Sequence, residues 1–270
     1  MDNRPIGIYD SGFGGLTALK KLRELMPEED IIYFADSGRM PYGGRTDTQL
    51  CSFAKQDQDF LAGFDAKLII AACGTISSAA QSVLEGYHIP VIGVMKPGIE
   101  RLAALPGSGP LGIIATEASI RTGKFKALLR ELAPQREIID VPCPKFAPLI
   151  EHGHSAFGDE ELEAAVAEYL APMKGRGLAG LGLCCTHYGI ISESIRAFLG
   201  DDNVQLVAAS ESAAEQAAEM LRAAGKTGGS GKLRLFTSGD ARELYDFASA
   251  LLGEKELDIT ALPPMEVLAE

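Results

Sequence analysis

Leu68-Ile69-Ile70-Ala71-Ala72-Cys73-Gly74-Thr75 is an apolar run that ends in a thiol, a glycine and a hydroxyl residue. Leu181-Gly182-Leu183-Cys184-Cys185-Thr186-His187-Tyr188 has the same build. A short, unbroken apolar run closed by turn-forming residues marks a buried parallel strand. In open α/β sheets, ligands bind just beyond the carboxyl ends of the strands. Each thiol therefore falls in a reactive position, and two such thiols imply two reactive faces around one ligand.

Strand-like and helix-like segments alternate on either side of the first run. Ile6 to Tyr9 reads as a strand. Gly14 to Leu25 has helical spacing, with Leu16, Leu19, Leu22 and Leu25 on one face and Pro27 as the stop. Ile31 to Phe34 is the next strand, Leu50 to Ala62 a helix, and Leu68 to Ala72 a strand. The order βαβαβ predicts a parallel sheet covered by helices.

The same order then repeats. Pro5-Ile6-Gly7-Ile8 resembles Pro110-Leu111-Gly112-Ile113, and Ile31-Ile32 resembles Ile138-Ile139. Cys73 matches Cys185. Three matched blocks in one order at nearly constant spacing predict an internal duplication, hence an α/β protein of two pseudosymmetric parallel-sheet domains facing each other across a cleft. Similar apolar strands in any parallel α/β protein are the plainer explanation. The expected division is 1–97 plus 208–270 for the first domain and 98–207 for the second. Pro97-Gly98 and Ala209-Ser210 are the expected crossovers. The remaining helix Glu211 to Ala224, glycine-rich loop, strand Leu233 to Phe236 and helix Ala241 to Leu252 are expected to pack back on the first domain.

Composition narrows the function. The chain has 270 residues, 46% hydrophobic and 23% charged, as expected of a globular protein. No apolar run approaches the roughly 20 residues that span a bilayer. Met1 to Arg4 is polar and leads straight into a strand, without a signal-peptide layout, so a cytoplasmic location is expected. Five unevenly spaced cysteines argue against a disulfide framework. A formal charge of −12 disfavours nucleic acid and anionic membranes as partners, while leaving room for an anionic small molecule at a local site.

Asp10-Ser11-Gly12 closes the first strand, and Phe13-Gly14-Gly15 precedes a helix. This turn is either an anion cradle at a helix N-terminus or a tight turn capped by Asp10. It matches neither G-x-G-x-x-G nor a P-loop, so nucleotide binding is unsupported. Cys73 would open the helix after its strand, where the positive helix end is expected to lower its pKa towards neutral for use as a base. The alternative is an inert buried cysteine. Successive strand residues face opposite ways, so only one of Cys184 and Cys185 meets the cleft. Cys185 is chosen because Thr186-His187 follows it, with His187 as a proton partner. His152 and His154 flank Gly153 in a polar loop and read as solvated, and no metal site is expected. Cys51 and Cys143 have no evident role.

With these residues in hand, a family resemblance emerges. Asp10-Ser11-Gly12-x-Gly14-Gly15-Leu16-Thr17, Tyr33-Phe34-x-Asp36 and Pro41-Tyr42-Gly43 are similar to motifs of glutamate racemases, within the aspartate/glutamate racemase family. So are Ala72-Cys73-x-Thr75, Cys143-Pro144-x-Phe146-x-Pro148-Leu149-Ile150-Glu151, Cys185-Thr186-His187-Tyr188 and Phe236-Thr237-Ser238-Gly239-Asp240. The resemblance implies a cofactor-independent amino-acid racemase that interconverts L- and D-glutamate and supplies D-glutamate for peptidoglycan. It implies that Cys73 acts on the D-isomer and Cys185 on the L-isomer. Asp10 would assist Cys73; His187 would assist Cys185, with Glu151 as a further acidic position beside it. Ser11, Pro41, Tyr42, Gly43, Gly74, Thr75 and Thr186 match substrate-holding positions. A homodimer is also implied.

Two positions depart from the family pattern. Gly74 stands where the family has Asn, and Gly189 where it has Pro. Gly74 removes a hydrogen-bonding side chain, worth about 1–3 kcal/mol if its partner is left unpaired. It therefore leaves open a racemase acting on another amino acid, such as aspartate. A non-catalytic binding protein on this scaffold would have no use for two opposed thiols.

Overall fold

The computed structural model describes residues 1–263. Its strands are Ile6–Asp10 (β1), Ile31–Ala35 (β2), Leu68–Ala71 (β3), Val91–Gly93 (β4), Leu111–Ala115 (β5), Ile138–Pro142 (β6), Gly180–Leu183 (β7), Gln205–Ala208 (β8), Leu233–Thr237 (β9) and Ile259–Ala261 (β10). The helices of the first part are Leu16–Leu25 (α1), Asp47–Ala62 (α2), Gly74–Ala79 (α3), Gln81–Glu85 (α4) and Met95–Ala103 (α5). Glu117–Thr122 (α6), Lys124–Leu132 (α7), Phe146–Glu151 (α8), Glu160–Leu170 (α9) and Ser192–Leu199 (α10) follow. Ala209–Ala223 (α11) and Ala241–Leu252 (α12) complete the set.

These strands form two all-parallel sheets. One runs β10-β9-β2-β1-β3-β4, the other β6-β5-β7-β8. Strands β2-β1-β3-β4 of the first sheet and the whole second sheet share one topology. In each, the first strand sits between the second and third, and the fourth lies outside the third. The registers agree as well: Ile6 pairs with Ile31 and Leu68, and Leu111 pairs with Ile138 and Gly180. The duplicated sequence blocks are thus duplicated structure, and both cysteines follow equivalent strands, β3 and β7.

Period-two alternation puts a separate apolar layer on each face of each sheet. Ile31, Tyr33 and Ala35 join one layer, while Ile32 and Phe34 join the other. In the second sheet Leu181, Leu183 and Cys185 share one layer and Cys184 lies in the opposite one. The alternation therefore separates the adjacent cysteines as the sequence predicts.

Several boundaries differ from the sequence reading. The first helix begins at Leu16, because Gly14 and Gly15 belong to the turn before it. α2 begins at Asp47, three residues early, because Thr46 and Gln49 form a capping box that fixes its start. The expected crossovers are not loops. Pro97 and Gly98 lie inside α5, and Ala209 and Ser210 open α11. These two helices pack against each other, and a β-carbon on Gly98 would lie 2.7 Å from Ala209 Cβ. The C-terminal segment returns to the first sheet, where β9 pairs with β2.

Candidate active site

The carboxyl ends of β1, β3 and β7 open into one cavity of about 290 Å³. The first sheet contributes Asp10, Ser11, Cys73, Gly74 and Thr75 from strand ends, together with Pro41, Tyr42 and Gly43 from the loop after β2. The second contributes Cys185, Thr186 and His187 after β7, and Glu151 at the end of α8. Every site residue anticipated from the sequence lines this cavity. Cys73 is 4% exposed and Cys185 8%, so both thiols are shielded yet reach it.

Each thiol has its own relay. Cys73 Sγ lies 3.5 Å from Ser11 Oγ, which donates across 3.4 Å to Asp10 Oδ1. Asp10 also accepts from the Ser11 and Gly15 backbone amides at 2.8 and 2.7 Å. This turn is therefore a carboxylate-clamped loop, and Asp10 reaches Cys73 through Ser11. On the other side Cys185 Sγ lies 3.7 Å from His187 Nδ1, and His187 Nε2 lies 2.9 Å from Glu151 Oε1. The halves are joined where Thr186 Oγ1 donates to Asp10 Oδ2 at 3.3 Å.

The electrostatics of the two sides differ. Burial pushes the Cys73 thiol up to about 12, and the Asp10 carboxylate pushes in the same direction. This corrects the expectation of a lowered pKa: Ser11 and the Ile76 backbone amide favour the thiolate, but burial outweighs both. Burial also raises Asp10. Burial opposes charge on His187, but contact with Cys185 and Glu151 together holds it well above the ordinary imidazole range. A ring favoured in its charged form thus faces Cys185 Sγ, while the buried Asp10 carboxyl, itself raised, stands behind Cys73.

Gly74 is explained by packing. Its φ is not positive, so the backbone there does not require glycine. A β-carbon would instead lie 2.5 Å from the Cys184 carbonyl oxygen. No side chain fits without moving the backbone beside Cys185.

Tyr42 is held from behind. Its hydroxyl contacts Asp36, and the buried Arg39 bonds Asp36 Oδ2 at 2.5 Å and Asp57 Oδ1 at 2.8 Å. Ser238, directly after β9, donates to Asp36 Oδ1 at 2.7 Å. Cys143 and Cys184 are buried in apolar layers, and Cys51 is half-buried on α2. His152 is exposed and contacts the Pro148 carbonyl, and His154 pairs with Asp159 at 3.0 Å. Among the described residues, no group of three or more His, Cys, Asp or Glu side chains is placed to hold a metal ion. Nor is any helix there long and apolar enough to cross a membrane.

The sequence reading missed Thr116, Ser119 and Arg121, which also line the cavity. The duplication carried a signal for the first of them. The spacing that matches β1 to β5 places Thr116 opposite Ser11, and Thr116 caps α6 by accepting from the Ser119 amide.

Two halves of one topology, each offering a thiol to a shared cavity, define a class of amino-acid racemase, and sequence comparison agrees. The signature of the Asp/Glu/hydantoin racemases matches residues 22–217. The chain belongs to this family and is an isomerase. A glutamate racemase of Geobacter metallireducens is 38% identical over 224 residues, covering 82% of each chain. A glutamate racemase of Francisella tularensis, solved with D-glutamate, superposes with a TM-score of 0.87 at 32% identity, covering 98% of this chain and 99% of that one. A glutamate racemase isoform of Bacillus anthracis gives a TM-score of 0.90 at 27% identity, covering 98% of this chain and all of its own.

Proposed function

We propose that this protein interconverts L- and D-glutamate by two-base proton transfer between Cys73 and Cys185. The observation that carries the reading is that these two thiols, from equivalent strand ends of duplicated halves, line one cavity. In this reading residues 1–97 and 208–270, of which 264–270 lie outside the described residues, form the half that carries Cys73, and 98–207 the half that carries Cys185. The glutamate racemase relatives support glutamate as the substrate.

From L-glutamate, Cys185 as thiolate takes the α-proton, and the electron pair is left on the α-carbon, delocalised into the carboxylate. The cationic His187 beside Cys185, itself held by Glu151, stabilises negative charge on that sulfur. Cys73, kept as a thiol by burial, then delivers its proton to the opposite face, giving D-glutamate. The reverse direction starts with loss of the Cys73 proton. An incoming α-ammonium group favours that loss by offsetting the Asp10 charge. Ser11, Thr75, Thr186 and the Tyr42-Gly43 backbone supply donors that hold the amino acid. The side chains thus cover the proton transfers without a cofactor or metal.

Gly74 does not favour a different amino acid, because its missing side chain is accounted for by the Cys184 carbonyl. The same reading includes supply of D-glutamate to peptidoglycan and a homodimer. It also includes a cytoplasmic location, with which five free cysteines agree. The test is circular dichroism of purified enzyme with L- and D-glutamate and with L- and D-aspartate. Glutamate turnover is expected. Activity on aspartate alone would overturn the substrate assignment.

A further inference from the structure

Three glycines of the first half lie directly against residues of the second half. A β-carbon on Gly12 would sit 2.8 Å from Glu151 Oε1 and 2.8 Å from Met40 Sδ. One on Gly14 would sit 2.5 Å from His187 Nδ1 and also collide with Thr186 Oγ1. One on Gly74 would meet the Cys184 carbonyl. None of the three has a positive φ, so their backbone conformations admit any residue. Space alone demands glycine, and what fills that space is Glu151, His187 and the residues flanking Cys185. At the crossover, Gly98 meets Ala209 in the same manner.

We propose that Gly12 and Gly14 are positioning residues for the Cys185 side of the site: the absent β-carbons let the first half seat the Glu151–His187 pair against Cys185. The proposal rests on the two-thiol reading above. Gly14 is the more stringent position, because His187 is fixed on both ring nitrogens, by Cys185 and Glu151. It is also packed by Phe247 of α12, with ring centroids 6.3 Å apart. The ring can yield only towards the cavity, and doing so breaks its contacts with Cys185 and Glu151. At Gly12 the contacts are the ends of two long side chains, which yield more easily. Neither Cys73 nor Ser11 is among the nearest neighbours of either β-carbon; a Gly14 β-carbon reaches Asp10 only through Thr186, which bonds Oδ2, whereas Ser11 bonds Oδ1.

The damage should therefore be one-sided, yet ordinary kinetics hide this. The enantiomers have equal free energy, so any variant lowers kcat/KM equally in both directions. Exchange of the α-hydrogen with solvent separates the sides. When Cys73 removes hydrogen from D-glutamate and cannot pass charge on, its sulfur exchanges with D2O and returns deuterium to the same face.

The experiment measures racemisation by circular dichroism and α-deuteration by NMR in D2O, for wild type, Gly12→Ala, Gly14→Ala and Gly189→Ala. Gly189 is the control, since its β-carbon would meet only Ala208 Cβ at 3.7 Å and Glu211 Oε1 at 3.9 Å. For Gly14→Ala, racemisation and deuteration of L-glutamate should fall by roughly a hundredfold, the scale of a 1 Å misplacement. Deuteration of D-glutamate without inversion should persist. Gly12→Ala should show a milder loss of the same sense, and Gly189→Ala should match wild type. If Gly14→Ala does not unfold cooperatively on heating, Gly12→Ala decides alone. Equal loss of exchange from both enantiomers, or no loss, in an otherwise active enzyme overturns this assignment while leaving the two-thiol reading intact. A wild type inert towards glutamate overturns both.

Discussion

His187 Nε2 lies 2.9 Å from Glu151 Oε1, with the opposite ring nitrogen turned to Cys185. The carboxylate fixes the orientation of the ring and holds its positive charge in a buried place. Burial opposes that charge; Cys185 and then Glu151 support it, so losing Glu151 shifts the balance towards the neutral imidazole. Glu151→Gln should therefore lower the pKa of His187, read from its ring-proton shifts by NMR. Racemisation should fall by about a hundredfold, as for loss of an acid–base partner. An unchanged His187 titration would contradict this role for Glu151.

Cys73→Ala and Cys185→Ala should each abolish detectable racemisation. Each removes one of the two proton carriers, and general acid–base groups contribute about a hundredfold to ten-thousandfold apiece. Circular dichroism time courses provide the check. Either variant running near the wild-type rate would show that one thiol suffices.

Burial raises Cys73 from an ordinary thiol value of 9.0 to about 12. The folded protein thus keeps a proton that the unfolded chain releases above the ordinary value. Stability attributable to Cys73 is complete below pH 9 and is lost as pH rises towards 12. Thermal melts should accordingly show wild type losing stability relative to Cys73→Ala across that window. In the ligand-free enzyme at pH 8, iodoacetamide should label Cys73 slowly.

Gly74→Asn should not improve glutamate turnover. Its β-carbon would meet the Cys184 carbonyl, which is backbone, so the strand end bearing Cys185 must move. Overpacking of this kind costs about 1–3 kcal/mol. A lower Tm together with a lower kcat is expected; a gain in kcat/KM on glutamate would refute the steric explanation.

Arg39 bridges the buried carboxylates of Asp36 and Asp57 beneath Tyr42. Burial and the nearby Asp36 hold Asp57 well above the usual carboxylate range even with Arg39 present. Arg39→Met removes the cation that bridges the two carboxyls, and breaking a buried pair costs about 3–5 kcal/mol. Urea unfolding should show a loss of that order, with a raised KM as the Tyr42 loop loosens. A loss under about 1 kcal/mol would mean that the network carries no more than an exposed pair does.

Much of this was legible in the sequence because burial on both faces of a parallel strand writes a continuous apolar run. Leu68 to Ala71 and Leu181 to Leu183 could be placed on that ground, and with them both cysteines. The expected helix Ala241 to Leu252 coincides with α12. Short edge strands such as Val91–Gly93 were not visible, since three residues carry too little pattern. The start of α2 was missed because side-chain capping, not hydrophobicity, sets it. The protonation of Cys73 was misjudged because burial outweighs the helix terminus: the thiol packs in one apolar layer with Tyr9, Tyr42 and Ile76, which spacing along one strand does not reveal. The same holds for Gly74, whose reason is a carbonyl 110 residues further along the chain.

The central claim is that two thiols, one on each face, carry the proton. It is tested most directly by the isotope found in product formed early from protiated L- or D-glutamate in D2O. With two bases, the inverted product carries solvent deuterium at the α-carbon from the first turnovers, starting from either enantiomer. Inverted product that retains the substrate's own α-hydrogen would mean that a single base serves both faces, and would contradict the account.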